Sequence, residues 1–279
     1  MKNIPVYLDS NVIIDICDGR EVGLDELLFG SVKSGDYCYP FSAEQISEIT
    51  FGNDYERNEQ RLAFVERLSN NLYFVHSVYE LGFKYESPFK IYETINEVAP
   101  IQEEKDLANF ITYEQQMEAR NVYGIDVNRL NNLNPKEAIE YLNSIFRDFK
   151  YPDSTDISQV PRSLDDFIEF NRRNTIEHFS TLWDSMGANH DLMLRDNTIV
   201  TLFSLLDMLG FWGDLKKTHK KGSRFGDSSH TFNASHFGGL VSKDKRLIMK
   251  SGVVFHSVGI KASTYLTSEF RRHLEEKIR

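Results

Sequence analysis

Short apolar runs alternate with polar segments at both ends of the chain, and a long stretch of helical periodicity separates the two ends. Short runs of apolar and β-branched residues, bounded by Asp, Pro or Gly, are typical of buried strands. The strands predicted on this basis cover residues 5–8, 37–39, 72–75, 239–242 and 253–255. Between residues 79 and 221 the apolar positions recur mainly at helical spacing, which predicts a helical middle.

Helices are predicted where this periodicity is flanked by capping or stop signals. Ser42 with Gln45 three residues later has the pattern of a capping box, and Asp227 is placed to cap a further helix. The predicted helices at the two ends cover 12–17, 24–32, 43–51, 57–68, 227–237 and 267–278. Those of the middle cover 103–121, 135–149, 164–186 and 198–215, and residues 151–162 are predicted to form a loop. Because βα units stand at both ends, we expect one parallel sheet built from both, with a helical insertion between them.

The composition indicates a globular protein without a membrane span. Hydrophobic residues make up 41% of the 279, enough for one large domain or two modest ones. Cys17 and Cys38 are too few for a disulfide scaffold or a zinc site. Asp9 interrupts the first apolar run, which argues against a signal peptide, and the most apolar stretch, 199–212, contains Asp207 and is short for a membrane helix. We therefore expect a cytoplasmic protein with no membrane partner.

The charge distribution bears on nucleic acid as a partner. A net charge of −10 argues against a broad basic surface, but it does not exclude nucleic acid in a metal-lined cleft, where bound cations offset the acids. One basic run could steer a phosphate backbone toward such a cleft, with a solvated loop as the alternative. The run consists of Lys216, Lys217, Lys220, Lys221 and the nearby Arg224.

Four acidic residues occupy equivalent places in the predicted βα units. Asp9 follows the first strand, Glu48 lies on the helix after the second, Asp227 opens a later helix, and Asp244 follows the next strand. Ligands of open α/β sheets bind beyond the carboxyl ends of the strands, so we expect these acids to meet at one edge. Four carboxylates repel one another without a counter-charge. Oxygen ligands favour Mg²⁺ or Mn²⁺, which can activate water and stabilise a leaving oxygen at phosphorus.

Each acid also has a purely structural interpretation. Asp9 could cap the first helix, and Asp227 could be only a helix cap. Glu48 could be a solvated helix residue, with Glu44 as its rival one turn earlier on the same face. Asp244 could be a surface charge within a basic segment.

Four neighbouring polar residues are secondary candidates. Ser10, Asn11 and Ser242 could hydrogen-bond the metal ligands or their water, although ordinary capping explains them equally well. His230 follows Asp227 by one helical turn and could touch the scissile phosphate; a packed or solvated histidine is the alternative.

Four segments resemble the motifs of PIN-like nuclease domains. The sequence YLDSN at 7–11 looks like their opening motif, and 39–49 resembles the second, in which a helix glutamate binds metal. Residues 227–234 are similar to the third motif, an aspartate with a histidine three residues later. Residues 240–247 look like the fourth, a hydrophobic strand that ends in Ser and then Asp.

The resemblance implies an α/β fold class, namely a three-layer α/β/α fold around a parallel sheet. The PIN-like core would comprise 1–80 and 222–279, and the helical insertion of 81–221 departs from the compact family core. The implied activity is that of a metal-dependent endonuclease, most often on RNA, which hydrolyses phosphodiester bonds with a metal-activated water. The catalytic residues and ligands of Mg²⁺ or Mn²⁺ that it implies are Asp9, Glu48, Asp227 and Asp244.

Other functions remain open at this point. A bacterial toxin or defence role follows from the resemblance alone. The insertion could shape a substrate channel or dock a protein partner, including a second copy of the chain. The alternatives are a non-catalytic PIN-like scaffold or nucleic-acid-binding module, and a phosphatase with an aspartate nucleophile. The phosphatase chemistry requires a second Asp two residues after the first, where Asn11 stands.

Overall fold

The chain forms two compact units, each built from more than one stretch of sequence. The computed structural model describes residues 3–52, 54–77, 79–97, 113–150, 160–213 and 223–278. The first unit comprises 1–102, 229–248 and 261–279, and the second comprises 103–228 and 249–260. Residues 103–112 of one predicted helix and 151–159 of the predicted loop lie outside the described residues.

The described elements alternate between strands and helices at both ends and are helical between them. The strands are β1 (Ile4–Leu8), β2 (Tyr37–Cys38), β3 (Leu72–His76), β4 (Leu81–Tyr85), β5 (Gly239–Ser242) and β6 (Ser263–Leu266). The helices up to residue 130 are α1 (Ser10–Cys17), α2 (Leu24–Ser34), α3 (Ala43–Ile49), α4 (Tyr55–Ser69), α5 (Pro88–Glu97), α6 (Tyr113–Tyr123) and α7 (Val127–Leu130). The later helices are α8 (Pro135–Asp148), α9 (Leu164–Met186), α10 (His190–Leu209), α11 (Ser223–Ala234), α12 (Lys245–Ser257) and α13 (Thr267–Ile278).

A four-stranded parallel sheet, flanked by helices, forms the centre of the first unit. Its strands lie side by side in the order β2, β1, β5, β6. All three neighbouring pairs are parallel, so the carboxyl ends of these strands lie at one edge. This confirms the prediction that one parallel sheet contains strands from both ends of the sequence.

The core of the first unit lies between this sheet and its helices. Val6 and Leu8 of β1 are buried there beside Val12 of α1, Ile46 of α3 and Phe270 of α13. Because successive strand residues point to opposite faces, the alternation in β1 also sends Tyr7 to the other face, where it is fully buried. The strand is therefore covered on both sides, as expected for a central parallel strand.

A two-stranded hairpin in the first unit was not predicted. β3 pairs antiparallel with β4, and an isolated parallel bridge joins Tyr73 of β3 to Phe41, which precedes α3. The turn is closed by Ser77, whose backbone N–H donates to the carbonyl of Glu80 at 2.9 Å. β4 is largely exposed, so it lacks the buried apolar run from which strands were predicted.

Two predictions near the carboxyl-terminal end are wrong. Residues 253–255, predicted to be a strand, lie within α12, and the last strand of the sheet is β6. The run from Val253 to Phe255 is almost fully buried, and a short buried apolar run fits a helix as well as a strand. The helix predicted to begin at Asp227 begins at Ser223, so Asp227 lies inside α11 and is not its cap.

The helices of the second unit follow the predicted periodicity. α9 has the predicted bounds, and α8 begins with the predicted Pro135 behind a capping box formed by Asn134 and Glu137. α10 begins eight residues before the predicted position, at His190, and ends at Leu209 before Gly210, which has a positive φ of 84°. Residues 210–213, predicted to continue this helix, are therefore not helical. Within the described part of the chain, no helix is both long and apolar enough to cross a membrane.

Candidate metal centre

Asp9 lies at the carboxyl edge of the sheet because β1 and β5 end together. Its backbone N–H donates to the carbonyl of Val241 at 2.8 Å, and its side chain is only 3% exposed. Oδ2 accepts hydrogen bonds from Ser242 Oγ at 2.5 Å and from Asn11 Nδ2 at 3.3 Å. Asp9 occupies the N-cap position of α1, but its carboxylate makes no capping hydrogen bond. The carboxylate is thus held in place by neighbours and is not used to cap the helix.

Glu48 reaches the same edge because α3 is tied to the end of β1. The capping box between Ser42 and Gln45 starts the helix as predicted, and Gln45 Nε2 donates to the carbonyl of Leu8. Glu48 follows Gln45 by one turn, and its side chain is 42% exposed. Burial opposes its ionisation, but the hydrogen bond and the charge of His230 lower the pKa of Glu48 below its ordinary value. The carboxylate is therefore ionised at neutral pH.

His230 of α11 lies between these two carboxylates. Its Nε2 is 3.0 Å from Glu48 Oε2 and 3.7 Å from Asp9 Oδ1, and its side chain is 3% exposed. Burial alone would lower the pKa of His230, but the hydrogen bond to Glu48 and the charges of the acids raise it to about 9. The sequence offered His230 only as a secondary candidate; the structure brings it into direct contact with Glu48.

The three side chains form a group suited to a metal ion. One ligand atom from each of Asp9, Glu48 and His230 lies within 4.8 Å of the other two. Among the described residues, no other set of three or more His, Cys, Asp or Glu side chains meets this distance. The donor set is two carboxylate oxygens and one imidazole nitrogen, whereas the sequence predicted oxygen ligands alone.

A buried tyrosine orients the imidazole of His230. The hydroxyl of Tyr7 is 2.9 Å from His230 Nδ1 and 2.9 Å from Ser42 Oγ. Asn233 Nδ2 donates to Glu44 Oε2 at 3.0 Å and to the Tyr7 hydroxyl at 3.4 Å. A carboxylate only accepts, so Glu44 fixes which end of the Asn233 amide faces Tyr7. Glu44, the rival of Glu48, thus belongs to this network and not to the three-residue group.

The sequence gave no signal for this network beyond the polar hydroxyl of Tyr7 in an apolar strand. Burial, followed by the charge of Glu44, raises the pKa of Tyr7 well above its ordinary value. The phenol therefore remains neutral and can accept a hydrogen bond from Nδ1 of His230. A hydrogen bond of this kind at one ring nitrogen leaves the other directed at a metal.

The other acids predicted as ligands are placed differently. Asp244 is half-buried, and its backbone N–H donates to Ser242 Oγ at 2.9 Å, which connects it to Asp9 through one hydroxyl. Asp244 Oδ1 accepts from the backbone N–H of Arg246 at 2.7 Å at the start of α12. Asp227 belongs to the second unit, where it is half-buried on α11 one turn before His230.

Ser10 differs from the other small polar residues of the group. Its side chain is buried, and it contributes to the lowered pKa of Glu48. Its Oγ nevertheless has no partner with hydrogen-bond geometry among the described residues. A buried hydroxyl without a partner is unfavourable by about 1–3 kcal/mol, which a water or a ligand of a bound ion would relieve.

The predicted basic run cannot be placed against this centre. Lys216, Lys217, Lys220 and Lys221 lie outside the described residues, as does the side chain of Arg224.

Comparison with known proteins adds nothing to this picture: no family model, no curated protein and no solved structure matches the chain.

Proposed function

We propose that the first unit is a PIN-like nuclease that hydrolyses phosphodiester bonds with the help of a divalent cation, with RNA as the preferred polymer. The observation that carries the proposal is the convergence of Asp9, Glu48 and His230 at the carboxyl edge of a parallel sheet. A three-layer α/β/α arrangement of the PIN-like type accords with a parallel sheet flanked by helices.

The charge of the group supports a cation as its ligand. Two carboxylates against one imidazole leave one negative charge when His230 is protonated and two when it is neutral. Such an excess is unfavourable in a site where Asp9 and His230 are both buried. The unpartnered hydroxyl of Ser10 supplies a further polar atom beside Glu48.

The donor set favours Mn²⁺ over Mg²⁺. Mg²⁺ prefers oxygen ligands alone, whereas an imidazole nitrogen is an ordinary ligand for first-row transition metals. Asp9, Glu48 and His230 would hold the cation, while Ser242 and Asn11 hold Asp9. When bound, the cation would act as a Lewis acid on a phosphoryl oxygen and lower the pKa of water for attack on phosphorus.

A non-catalytic PIN-like scaffold is the second candidate, and the position of His230 favours it. A protonated imidazole 3.0 Å from Glu48 already offsets part of the acidic charge. In that case the group would be a structural contact that binds no metal.

The deciding experiment is cleavage of single-stranded RNA and DNA oligonucleotides by the full chain with Mn²⁺, Mg²⁺ or EDTA. The test variant is Asp9→Asn/Glu48→Gln. The matched control is Glu26→Gln/Glu93→Gln, which neutralises two exposed acids of the same unit. We expect Mn²⁺-dependent cleavage, faster on RNA, by the wild type and the control, and its loss in the test variant. Cleavage that survives in the test variant would place the site elsewhere, and no cleavage by the wild type would favour the scaffold.

A further inference from the structure

We infer that three basic side chains beside the metal centre bind the phosphate backbone of a nucleic-acid strand, an inference that rests on the proposed function. These side chains are Arg20, Arg57 and Lys243, here called the basic strip. All belong to the first unit, and none lies in the basic run that the sequence singled out.

Two acids along α1 hold the basic strip together. Lys243 Nζ lies 2.5 Å from Asp15 Oδ2, and Arg20 Nη2 lies 2.9 Å from Asp15 Oδ1. The same Arg20 nitrogen is 2.7 Å from Asp18 Oδ2, while Arg57 Nε is 3.3 Å from Asp18 Oδ1. Arg20 therefore bridges the two acids, and each acid holds one further cation of the strip.

The acids are far less exposed than the cations. The side chains of Asp15 and Asp18 are only 8% and 13% exposed, against 53%, 52% and 44% for Arg20, Arg57 and Lys243. A fourth cation, Arg61, is buried against Asp18 at 3.1 Å. In this cluster of ion pairs, four cations therefore face two carboxylates, on a chain whose net charge is −10.

The purely structural alternative is a set of salt bridges that joins α1 to its neighbours. Exposed ion pairs contribute only about 0–1 kcal/mol each, and one cation for each acid would suffice. Here each carboxylate contacts at least two cations, so the cations are positioned without being neutralised. Guanidinium groups held in this way present their remaining N–H donors to an anion, and their planar geometry matches a phosphate group.

The basic strip begins next to the metal centre. Asp9 stands at the start of α1, and Asp15 follows it by six residues, or about 9 Å along the helix axis. Lys243 directly follows Ser242, whose hydroxyl donates to Asp9. A strand with its scissile phosphate at the centre can therefore lay its neighbouring phosphates along Lys243, Arg20 and Arg57.

The test variant removes two positive charges and leaves each acid with at least one cationic partner. In Arg57→Gln/Lys243→Gln, Arg20 still contacts both Asp15 and Asp18, so neither carboxylate loses all of its cations. The matched control is Lys33→Gln/Lys90→Gln, which removes two exposed lysines of the same unit. Within the described residues, neither of these lysines pairs with Asp15 or Asp18.

Binding is measured by fluorescence anisotropy with a labelled single-stranded oligouridylate across a series of salt concentrations, in EDTA so that the probe is not cut. Each backbone contact contributes about 0.7 to the slope of log affinity against log salt. We expect the double variant to lower the magnitude of this slope by about 1.4. For each tenfold drop in salt concentration, the affinity of the wild type should then rise about 25-fold more than that of the double variant. The control should retain the wild-type slope.

Equal slopes for the wild type and the double variant, or no binding of the probe by the wild type, would overturn the inference. Failure of the proposed function is separately visible, because the binding assay contains no metal. Metal-dependent cleavage with an unchanged KM in the double variant would support the nuclease function and contradict a role of the basic strip in substrate binding. A reduced salt slope without any cleavage would do the reverse.

Discussion

Buried carboxylates occur in both units, but they are balanced in different ways. In the second unit, Lys250 Nζ lies 2.6 Å from Asp207 Oδ1, and both side chains are less than a tenth exposed. In the first unit, Asp9 and Glu48 share one imidazole, that of His230, which carries one charge at most. The pair of Lys250 and Asp207 by itself carries no net charge, whereas two carboxylates on one imidazole have an excess of negative charge.

The difference distinguishes a structural ion pair from the proposed metal site. The ammonium of Lys250 also lies 5.6 Å from the ring centroid of Phe203, so the pair is enclosed by its own packing. The group at the sheet edge keeps one partly exposed carboxylate, that of Glu48, and beside it the buried hydroxyl of Ser10, which meets no partner with hydrogen-bond geometry among the described residues. We therefore expect substitutions in the pair to change stability, and substitutions in the metal centre to change metal binding.

The largest expected effect concerns the structural pair. Lys250→Met removes the ammonium that compensates the buried charge of Asp207, and breaking a buried pair in this way destabilises a protein by about 3–5 kcal/mol. Urea unfolding of the full chain measures the loss. In Lys250→Met/Asp207→Leu the apolar replacement of both partners should restore most of the stability. A single variant as stable as the wild type would show that the pair is not the structural element described above.

Asp9→Asn, unlike Lys250→Met, should change metal binding and leave stability intact. Loss of one carboxylate should weaken Mn²⁺ binding at least about 100-fold, more than the loss of an outer hydrogen bond does. The stability of the metal-free protein should not fall, because one of two repelling charges is removed. Calorimetric titration with Mn²⁺ and urea unfolding in EDTA measure the two effects, with Glu26→Gln as the control. A large drop in stability with unchanged Mn²⁺ affinity would make Asp9 a structural residue like Asp207.

The pH dependence of stability should reveal the bond between His230 and Glu48. The pKa of His230 rises from 6.5 to about 9 in the folded chain. Its contribution to stability is therefore complete below pH 6.5 and is lost as the pH rises through 9, by an amount on the order of 3 kcal/mol. Unfolding in EDTA across this range should show the decline, and His230→Asn should flatten it. With saturating Mn²⁺ the slope should weaken or reverse, because the metal displaces the proton.

The smallest expected effect tests the orientation of His230 by Tyr7. Tyr7→Phe removes the hydroxyl next to Nδ1, and we expect about tenfold weaker Mn²⁺ binding. The ¹⁵N NMR shifts of His230 should also change, because Nδ1 loses its acceptor. Tyr37→Phe is the matched control, since Tyr37 and His273 form a similar contact at 2.7 Å in the same unit. Equal effects of the two substitutions on Mn²⁺ affinity would show that the Tyr7 hydroxyl does not orient His230.

Most elements that were predicted correctly have sequence signals within a few residues. The capping box at Ser42, the strand that ends at Asp9 and the helix over 164–186 depend on neighbours a few residues apart, so the sequence contains them directly. Such local signals did not predict the exposed strand β4 or the helical conformation of the buried run at 253–255. One lacks an apolar run, and the other has a run that fits two conformations.

The candidate site was predictable in part for the same reason. Asp9 directly follows a strand, and Glu48 lies on a helix, and both elements have clear local signals. The contact of Glu48 with His230 joins residues 182 positions apart, and that of Tyr7 with His230 spans 223. Such pairs depend on how the helices pack on the sheet, which periodicity and spacing do not specify. The place of His230 beside the two carboxylates, on which the proposed preference for Mn²⁺ depends, therefore required the structure.

The most direct test of the central claim is calorimetric titration of Mn²⁺ into the wild type and His230→Asn at pH 7.5, in buffers of different ionisation enthalpy. Because the pKa of His230 is about 9, its imidazole is protonated at this pH and must lose Nε2–H to bind metal. We expect one Mn²⁺ per chain with release of about one proton, and much weaker binding without proton release in the variant. Equal binding by the two proteins, or no binding by the wild type, would contradict a metal centre formed by Asp9, Glu48 and His230.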